Sequence, residues 1–286
     1  MIKLYLKGKL GNQMFQYAQA IVIAKKYNTE FNLHPTNYDF YLSNYFNLNS
    51  LSDSPKKLKR RKKVSFIRRR LEKYLGIPWR DKSEIYFDTT KSPSHFLTQI
   101  RDNTTYRGYF QFDDLFKNNK DLIHQEFTIK APFIKEFKER HANLFDKNKT
   151  FVIHIRLTDY LNDNFHGGTA VLPMDFYSTI LEKYNKNEYQ YIIVSDDPKK
   201  AHELLSNCSD KKFTAEKDSL IMDFQKIMHA DIAIIANSTF SWWGAYLNTK
   251  TNKKIYAPKN WLGYNEVKEF PVGIMTNDFH WIDHKD

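Results

Sequence analysis

The side chains best suited to chemistry stand where apolar runs stop abruptly in polar residues. Thr150 to Tyr160 reads TFVIHIRLTDY. A period of two puts His154 and Arg156 on one face, while Ile153, Ile155 and Leu157 read as core. Arginine's planar fork matches phosphate oxygens two at a time and stays charged at any working pH, so this strand end outlines an anion site. The plainer reading is that His154 and Arg156 satisfy a local carboxylate such as Asp159. Tyr191 to Pro198, YIIVSDDP, ends in Asp196 and Asp197 before a helix-opening proline. Either carboxylate could accept from the ring N–H and exocyclic amine of a guanine, or cap the following helix. Ala233 to Asn248, AIIANSTFSWWGAYLN, runs from an apolar strand into Asn237, Ser238, Thr239 and Phe240. Hydroxyls and N–H groups at such a helix start favour negative charge, and a diphosphate would fit there. Trp242, Trp243 and Tyr246 recur at helical spacing and read as core rather than as a sugar platform.

A fourth stretch lies near the N-terminus. KGKLGNQMFQYAQA, residues 7–20, follows the alternating Ile2, Leu4 and Leu6 of a strand and leads into a helix predicted from Gln13 to Tyr27. Gly8 and Gly11 are thereby placed in a strand-to-helix turn, with the amides of Asn12 and Gln13 at the helix start. Such a turn needs backbone freedom and sits where open α/β sheets hold ligands. The spacing is not G-x-G-x-x-G, so a merely tight turn is the competing reading.

These positions need strands and helices in regular succession to hold them. From residue 150 the pattern supplies strand Thr150–Arg156, helix Pro173–Tyr184, strand Tyr189–Ser195, helix Pro198–Ser206 and a short strand near Phe213. Helix Asp218–His229, strand Asp231–Ala236, helix Ser238–Leu247 and strand Lys254–Ala257 follow. YIIVSD and DIAIIAN are nearly continuous apolar runs, as in strands buried on both faces of a parallel sheet. Before them come a strand at Glu30–His34, a loop at Asn37–Phe46, the aromatic stretch Tyr106–Phe116, and a helical region Asp121–Phe145 broken at Pro132. Asp146 to Lys149 is the expected boundary, giving an N-terminal α/β domain over 1–146 and a nucleotide-binding Rossmann-like domain over 147–286.

The chain has 286 residues and is 41% hydrophobic, with 18 Tyr, 22 Phe and 5 Trp, which excludes a disordered chain. One cysteine, Cys208, cannot form an intramolecular disulfide and suits a reducing, cytoplasmic setting. There is no signal-peptide pattern, and Ile232 to Ala236 is too short to cross a bilayer. The net charge of +11 is local: ten Lys/Arg and no Asp or Glu lie between Lys56 and Arg70, and the rest of the chain balances to +1. With Val64, Ile67, Leu71 and Tyr74 continuing at helical spacing, the basic insertion at 56–75 reads as a peripheral contact with an anionic membrane surface or as a solvated insertion. Phe66 alone interrupts the run as an aromatic, so nucleic acid is the weaker partner. No D-x-D pair occurs, so no metal is expected.

In order along the chain, LGNQMFQYA, GYFQ, HIRxxD, SDD, ANSTFSWWGAYLN and the late Ala257-Pro258-x-x-Trp261 resemble the bacterial α-1,2-fucosyltransferases of glycosyltransferase family 11. The resemblance spans residues 8 to about 261. It implies two Rossmann-like domains facing a cleft (GT-B type), with parallel sheets and helices on both faces. It further implies GDP-fucose as the donor substrate with no cofactor, and transfer with inversion to the 2-hydroxyl of a β-galactoside in a surface or lipopolysaccharide glycan; were that acceptor lipid-linked, the basic insertion would hold the enzyme peripherally at the inner membrane face. By the same resemblance Gly11, Asn12 and Gln13 form the N-terminal side of the cleft. Arg156 and the N–H groups from Ser238 to Phe240 stabilise the leaving diphosphate, and Asp159, His154 or Asp163 takes the acceptor's proton, with Asp159 preferred. One departure stands out: where the family pattern is HIRRGD, this chain has Leu157 for the second arginine. That keeps open a transferase using another nucleotide sugar, beside a basic membrane or nucleic-acid adaptor on an inactive transferase fold.

Overall fold

The computed structural model describes residues 1–35, 39–51, 84–161, 164–165 and 168–283. The basic insertion and Asp163 lie outside the described residues. The first sheet comprises β1 (Ile2–Leu6), β2 (Phe31–Pro35), β3 (Glu84–Tyr86) and β4 (Thr105–Arg107), all parallel, in the order β2-β1-β4-β3. The second holds β5 (Thr150–Ile155), β8 (Gln190–Ser195), β9 (Phe213–Ala215), β10 (Ile232–Ile234), β11 (Lys254–Pro258) and β12 (His280–Ile282). It is also parallel, in the order β12-β11-β10-β5-β8-β9. Two short strands, β6 (Asn164–Phe165) and β7 (Gly168–Thr169), pair antiparallel beside it.

The alternation within the second sheet explains its continuous apolar sequences. Phe151, Ile153, Tyr191, Ile193, Ile232 and Ile234 pack on one face with Phe176, Ile180 and Leu205 from helices Met174–Leu181 and Pro198–Ser206. Val152, Ile192, Val194 and Ala233 point the other way, into a core shared with helices Leu220–Met228 and Thr239–Tyr246. Both faces are thus covered, as parallel sheets require.

That second core continues into the N-terminal half. Helix Leu10–Lys26 buries Met14, Phe15 and Ala18 against the same cluster as Ile2, Leu4 and Leu6 of β1. Phe15 meets Trp242 and Trp243 with ring centroids 4.6 and 5.0 Å apart, and Phe116 stacks on Trp243 at 5.3 Å. Trp242, Trp243 and Tyr246 are therefore core. Aromatic pairs of this kind add about 0.5–1.5 kcal/mol each beyond the area they bury.

The segment after β11 returns to the first half. Val272 donates its N–H to Thr89 O at 3.0 Å, and Thr276 donates its hydroxyl to the buried Asp113 carboxylate at 2.7 Å. The sequence pattern marks neither β3, β12 nor the short helix Pro93–Leu97, and helix Leu42–Tyr45 stands within Asn37–Phe46, the stretch expected to be loop. Each is three to five residues long, too short for a period to register. No described helix is long and apolar enough to cross a membrane.

Candidate functional site

In each sheet the first strand is flanked by strands reached in opposite directions, and ligands of open α/β sheets sit at such switch points, beyond the carboxyl ends. In the first sheet the switch lies between β1 and β4. There Gln111, four residues past β4, donates to Asn12 Oδ1 at 2.8 Å. In the second it lies between β5 and β10, where His154 stands near the end of one strand, Arg156 follows it directly, and Asn237 to Phe240 come after the other.

The two switch points touch. Helix Leu10–Lys26 starts three residues earlier than its sequence period suggested, so Gly11 lies in its first turn and Gly8 alone makes the bend, at φ 75°. A Cβ on Gly11 would stand 2.4 Å from the carbonyl carbon of Thr239 and 2.5 Å from the N of Phe240. Glycine is needed here because the N-terminal turns of two helices meet backbone to backbone. Neither helix start has a side-chain cap. Phe240 in turn leans on His154, with centroids 5.8 Å apart.

Arg156 is the centre of a charged chain across this junction. Its Nε and Nη2 donate to Asp159 Oδ1 and Oδ2, both at 2.7 Å, and its Nη1 lies 3.3 Å from Asp196 Oδ2. Asp159 Oδ2 also accepts from Lys9 Nζ, at 3.1 Å, from the first half of the molecule. Burial opposes the Arg156 charge, but Asp159 and Asp196 outweigh it and hold its pKa above the ordinary guanidinium value. Partial burial would raise the Asp159 pKa, yet the bonds from Arg156 and then Lys9 prevail and hold it down to about 2.

That geometry sets Asp159, the expected proton acceptor, between two cations. A carboxylate with both oxygens bonded to cations and a pKa near 2 is a weak base at neutral pH. Its evident task is to fix the guanidinium. His154 is 3% exposed, and its Nδ1 has no hydrogen-bond partner among the described residues. Burial first, then the Arg156 charge, push its pKa down to about 3 against the pull of Asp196, so the ring is neutral.

The structure places the other expected residues as follows. Asp196 accepts from the N–H of Leu157 at 2.9 Å and from the N–H and hydroxyl of Thr158, tying the turn after β5 to the end of β8. Asp197 caps helix Pro198–Ser206 through the N–H of Lys200, at 3.0 Å. Of the two uses foreseen for this pair, capping is the one Asp197 shows. Both aspartates nevertheless line a cleft of about 640 Å³, with Thr158, Lys199, His202 and Lys217.

Two expected cleft residues instead face inward. Gln13, fully buried, donates to Gly8 O and Asp39 O and accepts from the N–H of Tyr41, so its amide pins the loop after β2 to the helix. Asn237 donates to Ala170 O at 3.0 Å and is 1% exposed. Ser238 is nearly buried, while Thr239 and Phe240 are half-exposed at the helix start.

Lys9, Gln111 and Tyr160, whose hydroxyl donates to Asn237 O at 3.0 Å, complete the junction. Lys9 stood beside the glycines without any periodic mark, and only a contact 150 residues away reveals its place. Among the described residues no three His, Cys, Asp or Glu side chains gather as a metal site requires.

Comparison with known proteins agrees with this architecture. The O-antigen biosynthesis glycosyltransferase WbnK of Escherichia coli is 29% identical, over 95% of this chain and 98% of its own. The alpha-1,2-colitosyltransferase of the same organism is 26% identical, over 93% of both chains. Among solved structures, the alpha-1,6-fucosyltransferase NodZ soaked with GDP-fucose, an enzyme known from Bradyrhizobium, has a TM-score of 0.51 at 9% identity, over 86% of this chain and 92% of its own. A mutant FUT1 of Arabidopsis thaliana in complex with GDP has a TM-score of 0.54 at 12% identity, over 90% of this chain and 69% of its own. At such identity the likeness is one of fold, and it agrees with the expected GT-B arrangement of parallel sheets with helices. The model of the family described as glycosyl transferase family 11 matches residues 1–270, and the chain belongs to that family.

Proposed function

We propose that this glycosyltransferase moves L-fucose from GDP-fucose to the 2-hydroxyl of a β-galactoside in an O-antigen, with inversion and without a metal ion. The observation that carries the reading is the position of Arg156. It follows β5 directly, bonded to Asp159 and Asp196, and the same strand end reaches the start of helix Thr239–Tyr246 through His154 against Phe240 and Tyr160 on Asn237 O, where the start of helix Leu10–Lys26 also packs. The names of the E. coli relatives support the O-antigen and the 1,2-linkage, and two proteins sharing this fold, a fucosyltransferase soaked with GDP-fucose and FUT1 in complex with GDP, are in keeping with a guanosine-diphosphate donor.

In this reading the acceptor oxygen bonds to the anomeric carbon as the bond from that carbon to the diphosphate breaks on the opposite face. The electron pair leaves with GDP. Arg156 and the N–H groups at Thr239 and Phe240 hold the growing charge, a role worth about 3 kcal/mol per well-placed donor. A dissociative transition state asks little of a base, because the hydroxyl sheds its proton only after the new bond has begun to form, and the proton then passes to the departing diphosphate oxygen or to water. That accords with a site whose carboxylate is committed to Arg156.

The alpha-1,2-colitosyltransferase relative favours a second donor, GDP-colitose, which is GDP-fucose without the 3-hydroxyl. A donor screen with a β-galactoside acceptor decides between them: released GDP gives the rate and the product's NMR gives the linkage. GDP-fucose turning over fastest, to an α-1,2 product and at an unchanged rate in EDTA, supports the proposal. Faster turnover of GDP-colitose transfers it to the second reading, and no turnover of any GDP-sugar overturns both.

A further inference from the structure

Strand β5 delivers a single guanidinium to the switch point, because the next residue, Leu157, is 3% exposed and packs in the core with Ile155 and Phe176. A sugar-nucleotide diphosphate carries about two negative charges that one cation only half balances, and Arg156 is already flanked by Asp159 and Asp196. The second cation at this point comes from the other half of the molecule. Lys9 Nζ bonds the same oxygen, Asp159 Oδ2, that accepts from Arg156 Nη2, at 3.1 and 2.7 Å. Lysine and arginine thus converge on one atom.

Lys9 is otherwise poorly held. Its side chain is 73% exposed. It is the residue before helix Leu10–Lys26, whose first N–H groups have no side-chain cap and add positive potential beside it. A long, flexible stem in that position can exchange one oxyanion for another at little cost, since an exposed ion pair is screened by water and holds only weakly.

We infer that Lys9 is a second donor-binding cation, resting on Asp159 and turning to the diphosphate of the sugar nucleotide when it binds. In the resting protein Lys9 and Arg156 balance Asp159 and Asp196. With the donor in place Lys9 leaves Asp159 to Arg156 alone, and the N-terminal half gains a direct hold on a ligand seated in the C-terminal half. Donor binding and closure of the junction are thereby the same event. The inference rests on the reading of Arg156 as the diphosphate partner.

The test is Lys9→Met, which keeps the stem and removes the charge, measured by calorimetry with GDP and with GMP, and by kinetics with the preferred donor. Lys9→Met should weaken GDP about tenfold and GMP less than threefold, raise donor KM by a similar factor with a smaller change in kcat, and leave the melting temperature in place. Lys9→Arg should restore GDP binding. A variant that only loosened the Lys9–Asp159 contact would weaken GDP and GMP alike, and that result, or an unchanged GDP affinity, overturns the inference. Wild-type protein that binds neither GDP nor UDP overturns the diphosphate reading itself, and this inference with it.

Discussion

Gly11 and Thr239, 228 positions apart in the sequence, meet so closely that a single methyl on Gly11 would fall 2.4 Å from the Thr239 carbonyl carbon. The obstacle is backbone on both sides, so no rotamer change relieves it. Gly11→Ala should destabilise the protein by about 1–3 kcal/mol, the usual cost of forcing extra volume into a packed site. It should also lower transfer by more than the loss of folded protein explains, because the two helix starts are pushed apart. Denaturant unfolding and the rate per folded molecule are the two measurements.

Arg156→Ala should reduce transfer at least a hundredfold while the protein stays folded. One well-placed donor to a developing oxyanion contributes about 3 kcal/mol, which is that factor. The comparison with Arg156→Lys is informative, because lysine keeps a charge but loses the fork that now engages Asp159 with two bonds. Activity of the alanine variant within tenfold of wild type would remove Arg156 from the mechanism.

Asp159→Asn should lower kcat/KM by about tenfold, through a less firmly held guanidinium, and should leave the acid limb of the pH–rate profile where it is. A group already ionised above a pKa of about 2 has no limb near neutrality to remove. Collapse of kcat by several orders of magnitude in Asp159→Asn, with donor affinity intact, would make Asp159 the base.

His154 gives the protein a definite response to acid. Its folded pKa, held at about 3 by burial and by Arg156, lies below the value of about 6.5 in the unfolded chain. Between those values the unfolded state binds the extra proton. Stability from this group is therefore complete above pH 6.5 and falls as the pH drops, by up to about 1.4 kcal/mol per pH unit. His154→Asn should flatten that dependence by one proton's worth, read from melting curves at pH 7, 6 and 5. An unaltered slope would mean the ring charges freely in the folded state.

Much of this was legible from pattern. Helix Pro198–Ser206 and the strands at 150, 190 and 254 were readable because buried parallel strands are apolar throughout and prolines mark helix starts. The start of helix Leu10–Lys26 was not, because propensity disfavours Gly11 and Asn12 in a helix and only the tertiary contact with Thr239 explains them. The residues Arg156, Asp159 and Asp196 stood out as charges at strand ends, but which of them bond each other depends on the order β8-β5-β10 of their strands. Gln13 illustrates the reverse: a polar side chain in a glycine-rich turn suggested a ligand, and the backbone of Tyr41 and Asp39 claims it instead.

The aromatic cluster of Phe15, Phe116, Trp242 and Trp243 bears on how such enzymes can be recombined. Halves exchanged between relatives at residue 146, the obvious seam in the sequence, would bring together a helix Leu10–Lys26 from one parent and a helix Thr239–Tyr246 from the other. The segment around Val272 to Thr276, grafted with the second half, would have to find its partners Thr89 and Asp113 in a foreign first half. A chimera meant to join one parent's donor to another's acceptor therefore has to transplant these three pieces as one unit, whatever their distance along the gene.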